Sequence, residues 1–305
     1  MQLERMMDDR TISGQQLWHW WQGARQAAIA SEVPLVELEW LMQELCSIDR
    51  LTLRLESFKT RPQMTLDVSL ADLDRLWTQR LRDRVPVQYL AGRVRWRRFC
   101  LQVSPAVLIP RPETEGMIDL VAAAVQHYPH LAAGAWADLG TGSGAIALAL
   151  AQLLPEARIY AVDVSAEALA IAQANAVTCG LSDRLQVSQG SWFAGLPPEA
   201  MPLSGMVSNP PYIPTALLDE LQPEVRDHEP SLALDGGADG LDCIRHLAAI
   251  APRYLKIGGL WLVELMDGQG EAVRSLLQQT GQYDPIDIHL DLAGRQRFAL
   301  AYRGQ

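Results

Sequence analysis

Cysteine is scarce and scattered in this 305-residue chain. Cys46, Cys100, Cys179 and Cys243 include no C-x-x-C pair, which argues against a zinc site and against a disulfide framework. They read as reduced, mostly buried thiols. Long apolar runs are missing too: the longest, residues 145–154, is too short to span a bilayer. The N-terminus carries Glu4, Asp8 and Asp9 and lacks the apolar run of a secretory leader, so a cytoplasmic protein is expected. Positive charge is in deficit. A formal net charge of −10 argues against a protein that coats nucleic acid by neutralising phosphates, although it allows a local basic patch. What the chain has in plenty is hydrophobic residues, 49% against 20% charged. That composition belongs to a folded protein with a sizeable core, in a length with room for two domains.

The first 84 residues read as helices only. Leu17, Trp20, Trp21, Ala24 and Ala28 recur at helical spacing behind Ser13, a plausible cap. Pro34 suits a first turn, with Leu35, Leu38, Leu41, Met42 and Leu45 on one face. A third helix opens at Ser69, with Asp72 completing a capping-box variant and Leu73, Leu76, Trp77 and Leu81 as its stripe. These stripes predict a small helical bundle. Residues 85–105 read as a linker with a β-hairpin over 94–103. Around it Arg80, Arg82, Arg84, Arg93, Arg95, Arg97 and Arg98 face one acid, Asp83. This zone is either a solvated face or a docking surface for an acidic or RNA-associated partner.

Residues 106–305 alternate strand and helix. Strands are predicted at 136–139, 159–163, 185–188, 206–208 and 260–263, with 286–290 and 298–302 pairing as a terminal antiparallel hairpin. The fold class is α/β: a doubly wound, mostly parallel sheet.

Two motifs carry chemistry. Asp138-Leu139-Gly140-Thr141-Gly142-Ser143-Gly144 follows a strand and opens a helix, a turn against which a ligand can lie. Asp163 ends the next strand, where a carboxylate can accept ribose hydroxyls, although a helix-entry role would also place an acid there. The G-x-G-x-G spacing suits a ligand without phosphates, of which S-adenosylmethionine is one. Trp192 is either a stacking partner for its adenine or a core aromatic. The second motif is Asn209-Pro210-Pro211-Tyr212 after the apolar run 205–208. A planar amide or aromatic amine has two N–H donors and a delocalised lone pair. The Asn209 oxygen can accept one hydrogen and the Pro210 carbonyl the other, with Pro211 barring any continuation of a ladder. Tyr212 can lie flat on the planar group, using its face rather than its hydroxyl. From these four residues alone, a proline-rich turn at a strand end is an equally good reading.

Glycine loop, strand-end acid and Asn-Pro-Pro-Tyr turn, in this order, resemble class I methyltransferases acting on amino or amide nitrogen. Ile109-Pro110-Arg111-Pro112-Glu113-Thr114-Glu115 narrows the resemblance to the HemK-type release-factor glutamine methyltransferases. Residues 86–92, Pro-Val-Gln-Tyr-Leu-Ala-Gly, and 236–241, Gly-Gly-Ala-Asp-Gly-Leu, match that family too. The resemblance implies a Rossmann-like class I methyltransferase sheet over 106–305 and a substrate-docking helical domain over 1–84. It also implies methyl transfer from S-adenosylmethionine to the glutamine of the Gly-Gly-Gln loop of peptide-chain release factors. Gly140, Thr141, Gly142, Ser143, Gly144, Asp163, Trp192 and Asn209 would meet the donor. Asn209, Pro210, Pro211 and Tyr212 would hold the glutamine, with Asn209, Pro210 and Tyr212 catalytic. No metal, membrane or stable nucleic-acid partner is expected. One departure stands out: Glu264-Leu265-Met266 where the family has Glu, a variable residue and Gly. His228 and Glu229 carry no sign that separates them from surface residues. The rivals are an adenine-N6 methyltransferase, a nicotinamide-dependent oxidoreductase and a binding module built on the N-terminal helices.

Overall fold

The computed structural model describes residues 9–305; Glu4 and Asp8 lie outside the described residues. The chain divides into two compact units. The first runs to Gly92 and includes Pro223–His228; the second comprises Arg93–Gln222 and Glu229–Gln305.

The first unit opens with β1 (Thr11–Ile12) and α1 (Gly14–Ala30). Ser13 caps α1 reciprocally: its hydroxyl accepts from the Gln16 N–H, and the Gln16 side-chain Oε1 accepts from the Ser13 N–H at 2.8 Å. Then follow α2 (Leu35–Cys46), α3 (Arg50–Arg54), β2 (Met64–Thr65), α4 (Leu70–Asp83) and α5 (Val87–Ala91). The predicted stripes meet in one core of Leu17, Trp21, Leu38, Leu41, Leu73 and Trp77. A reading of helices only is overturned at β1 and β2, which pair antiparallel. Two residues per strand are too few to show an alternating pattern. Arg80 corrects the arginine zone. It is buried and held by Glu37 at 2.5 Å and Glu224 at 2.7 Å, so it belongs to the interior of this unit, not to a basic surface.

The second unit begins with the expected hairpin, β3 (Arg93–Trp96) against β4 (Phe99–Gln102). After α6 (Gly116–His127) the chain alternates β5 (Gly134–Leu139), α7 (Ala145–Leu153), β6 (Ala157–Asp163), α8 (Ala166–Thr178), β7 (Leu185–Gln189) and β8 (Leu203–Ser208). It ends with α9 (Asp242–Ile250), β9 (Leu255–Glu264), α10 (Gly270–Thr280), β10 (Tyr283–Leu290) and β11 (Gln296–Arg303). The seven strands run in the order β10-β11-β9-β8-β5-β6-β7. Neighbours from β7 to β9 are parallel, and β9, β11 and β10 are antiparallel in turn. All six residues of β8 are buried, as a central strand covered on both faces requires. The strand order reverses between β5 and β8, where Asp138 pairs with Val207. The chains leaving these two strands, the glycine loop and Asn209, therefore flank a crevice at the carboxyl edge of the sheet.

Candidate active site

A cavity of about 490 Å³ occupies that edge. Gly140, Thr141, Gly142, Ser143, Asp163, Trp192, Asn209 and Pro211 all line it. Gly144, Pro210 and Tyr212 do not. The lining includes Pro110, Arg111 and Thr114, so the Ile-Pro-Arg-Pro-Glu-Thr-Glu stretch forms a wall.

At one end the surface is mostly backbone. Gly140 and Thr141 donate their N–H groups to the Val162 carbonyl at 2.8 and 2.9 Å. Asp163 accepts from the Gly142 N–H at 2.8 Å and from the Ser165 N–H at 3.0 Å, one on each oxygen. Each oxygen keeps a lone pair for a ligand hydroxyl. Gly142 has φ +54°, and a Cβ there would meet nothing within 4 Å: the position is strained for other residues and open toward a ligand. Gly144 serves otherwise. It caps α7 at φ +83°, and a Cβ would press on Ala172 at 3.2 Å. The Thr141 hydroxyl points away from the ligand side, donating to the buried Asp138 at 2.6 Å. Asp138 also accepts from the Ala147 N–H at 3.0 Å. Burial pushes its carboxyl up to about 7 against these bonds. Trp192 serves both readings: half-buried, it lines the cavity beside Gly140 and packs on the core.

The other end is made of side chains. Asn209 donates from Nδ2 to Thr114 Oγ1 at a long 3.4 Å. The Tyr212 hydroxyl donates to Glu264 Oε1 at 3.1 Å, and the Tyr212 carbonyl accepts from Gln269 at 3.0 Å. Tyr212, expected to lie on the substrate plane, is part-buried and packs on the core. Glu264 is fully buried. Burial pushes its carboxyl up to about 7, while the hydroxyls of Thr114 and Tyr212 and the charge of Arg297 pull it down.

Sequence reasoning missed four residues. Glu229, taken as unremarkable, is buried; it accepts from the Ile109 N–H at 3.2 Å and from Arg111 at 2.6 Å, fastening the motif wall. Nothing in sequence links positions so far apart. Asn175 joins the hairpin to the glycine loop, donating to the Gln102 and Ser143 carbonyls at 3.0 and 2.9 Å. Thr114 lay inside a quoted motif with no signal for its partner. Glu264 had a signal: like Asp163, it is an acid at the carboxyl end of a parallel strand. Among the described residues no group of three His, Cys, Asp or Glu side chains is placed to hold a metal ion.

Comparison with known proteins follows the same lines. The family described as "Methyltransferase small domain" matches residues 116–219. Release factor glutamine methyltransferase from Synechocystis sp. is 48% identical over 300 residues, covering 97% of this chain and 99% of that protein. The protein of the same name from Thermosynechococcus vestitus is 46% identical over 287 residues, covering 94% and 97%. Among solved structures, the hMettl16 catalytic domain in complex with MAT2A 3′UTR hairpin 1 is similar with a TM-score of 0.53. It is 12% identical and covers 79% of this chain and 84% of that one, a likeness of fold alone.

Proposed function

The chain belongs to the release factor glutamine methyltransferase family, and on that premise we propose how its residues divide the work. It transfers a methyl group from S-adenosylmethionine to the side-chain amide nitrogen of the glutamine in the Gly-Gly-Gln motif of release factors. The observation that carries the site reading is one cavity holding Gly140–Ser143 and Asp163 at one end and Asn209 at the other.

The cavity fits the donor. About 490 Å³ is of the size small-molecule sites use. Open backbone at Gly142 suits the amino-acid part, and the Asp163 carboxylate suits the ribose. Trp192 offers a flat face to adenine. When bound, the donor supplies a sulfonium methyl group already activated for displacement. The enzyme's task is alignment, worth about 7–11 kcal/mol in favourable cases. Asn209 accepts one amide hydrogen and the Pro210 carbonyl the other, and these bonds strengthen as positive charge grows on nitrogen. Pro211 keeps the turn rigid. No side chain is assigned as base, because the methylated nitrogen is itself strongly acidic.

Residues 1–84 are proposed to dock the release factor, residues 85–105 to link, and residues 106–305 to catalyse. Arg95, Arg97 and Arg98 are the arginines proposed to help; of these, Arg97 pairs with Asp119 at 3.0 Å and donates to the Glu115 carbonyl. Cytoplasmic residence fits this substrate. Among the described residues no helix is long and apolar enough to cross a membrane. The net charge of −10 supports a site that takes protein and does not bind nucleic acid stably.

The test is incubation with labelled methyl donor and, separately, release factor, duplex DNA and RNA. Label in the release factor alone supports the reading. Label in adenine would return the adenine-N6 alternative.

A further inference from the structure

Among the described residues two large apolar side chains, Val164 and Leu232, line the cavity and yet stand well out of the core. Val164 follows Asp163 and belongs to the donor end. Leu232 is 64% exposed and belongs to the other end. Its place follows from the backbone. The Ile213 N–H, one residue past the Asn-Pro-Pro-Tyr turn, donates to the Leu234 carbonyl at 3.0 Å, and the Gly236 N–H donates to the Ile213 carbonyl at 2.8 Å. The segment 230–236 is therefore zipped alongside the turn that carries Asn209. It is also fastened. Just before it, the buried Glu229 takes the Ile109 N–H and Arg111. Within it, the Ala233 N–H donates to the Pro230 carbonyl at 2.8 Å and the Leu234 N–H to the Ser231 carbonyl at 3.0 Å, and the Leu234 side chain is buried. Leu232 thus stands at the cavity mouth on a fixed turn, with most of its surface uncovered.

We propose that Leu232 is a specificity residue for the acceptor: it forms an apolar sill against which the two glycines of the Gly-Gly-Gln loop lie, and it excludes side chains at those positions. The inference rests on the reading that Asn209 holds the glutamine amide. With the amide held inside, the chain before the glutamine has to cross the mouth beside the Asn209 turn. Pro211, also in the lining, is stiff by its ring. A glycine backbone can lie in contact with the leucine methyl groups. A residue with a Cβ has to displace them, and a fastened turn leaves them little room. Binding covers the leucine, so the contact that rejects a side chain also favours its absence.

The test varies both partners. Methylation is measured as kcat/KM at saturating donor on intact release factor and on factors in which either glycine is replaced by alanine. Wild-type enzyme is compared with Leu232→Ala, and calorimetry reads donor affinity. Wild-type enzyme is expected to lose on the order of 10–100-fold on at least one alanine factor, the scale on which a site discriminates one carbon. Leu232→Ala is expected to be a few-fold slower on the natural factor and to shrink the preference for glycine by at least about fivefold. Its donor affinity and denaturation midpoint are expected to stay close to wild type, since the side chain is mostly exposed. Leu232→Ser, a second short side chain, is expected to do the same. An unchanged glycine preference in both variants overturns the inference, as does a wild-type enzyme that takes both alanine factors at full rate. A loss of donor affinity that matches the loss of rate overturns it too, since the leucine then serves the donor. If Asn209→Ala is as fast as wild type, the acceptor reading itself falls. If Asn209→Ala is slow while Leu232→Ala keeps the wild-type preference, only this inference falls.

Discussion

At the proposed donor end, the ligand-facing surface is backbone fixed by neighbours: Val162 takes the N–H groups of Gly140 and Thr141, and Asp163 takes that of Gly142. At the proposed acceptor end it is a side chain, held from Thr114, 95 positions earlier, and through a Tyr212 anchored on Glu264, 52 positions later. The contrast follows from the two tasks. A donor with ribose and amino-acid groups can be met by many small contacts spread along a rigid loop. An amide nitrogen has to be met by two oxygens pointing the right way, one of them on the Asn209 side chain, and a directed side chain needs a directed support. Damage at the donor end should therefore appear in affinity, and damage at the acceptor end in rate.

The largest effect expected is at Asn209. Asn209→Ala should lower kcat on the order of 10²–10³-fold with donor affinity near wild type. Asn209→Asp keeps an acceptor oxygen and should retain part of the rate. Equal losses of rate and donor affinity would erase the distinction between the two ends.

Asp163→Ala should do the converse. Losing charge-assisted hydrogen bonds of about 1.5–3 kcal/mol each, before water compensates, should weaken donor binding roughly 10–100-fold by calorimetry. The rate at saturating donor should move far less.

Tyr212 sharpens the acceptor side. Its hydroxyl is committed to Glu264, so Tyr212→Phe should cost stability, about 1–3 kcal/mol by urea denaturation, by leaving a buried carboxylate one donor short. Tyr212→Ala should cost more, since it also removes the packed ring. A Phe variant as stable as wild type would mean the anchor is idle.

A smaller effect concerns pH. Glu264 faces Tyr212, Thr114, Arg297 and Glu113, and its carboxyl sits near 7 when folded against 4.5 ordinarily. Between those values the folded protein holds a proton that the unfolded chain has released. Stability therefore falls as pH rises through that window. Asp138, raised by burial beside Asp163, acts with the same sign. Glu264→Gln should flatten the slope of denaturation midpoint against pH over this range; an unchanged slope would assign the dependence elsewhere.

The smallest effect lies outside both ends. Replacing Arg95 and Arg98 by Ala should weaken methylation of intact release factor a few-fold at low salt and hardly change a short Gly-Gly-Gln peptide. Equal activity on the intact factor would remove these arginines from docking.

The same contrast governs what was legible in the sequence. The glycine loop, Asp163 and the strand alternation are local patterns; the order of the seven strands is not, because it pairs segments far apart in the chain. The Asn-Pro-Pro-Tyr turn is equally local, and the family resemblance gave it meaning. Its supports are not local. Glu229 looked like a loop acid until Arg111 and the Ile109 N–H were found on it. Arg80 looked like one of seven surface arginines, yet it is buried between Glu37 and Glu224. Tyr212 was assigned by the shape of its ring, and the bond its hydroxyl makes to Glu264 could not be read from the turn alone. A buried polar pair is specified by two residues at once, and one position read alone cannot reveal it.

The most direct test of the central claim, that the site selects a planar amide N–H at Asn209, is mass-spectrometric mapping of methylated release factor. The natural Gly-Gly-Gln factor and its Gln→Glu variant would be compared under wild-type enzyme. The account predicts one methyl group on the glutamine side-chain nitrogen and none on the variant, whose carboxylate has no N–H to present. A methyl group on the variant's glutamate, or on any residue outside the Gly-Gly-Gln loop, would contradict it.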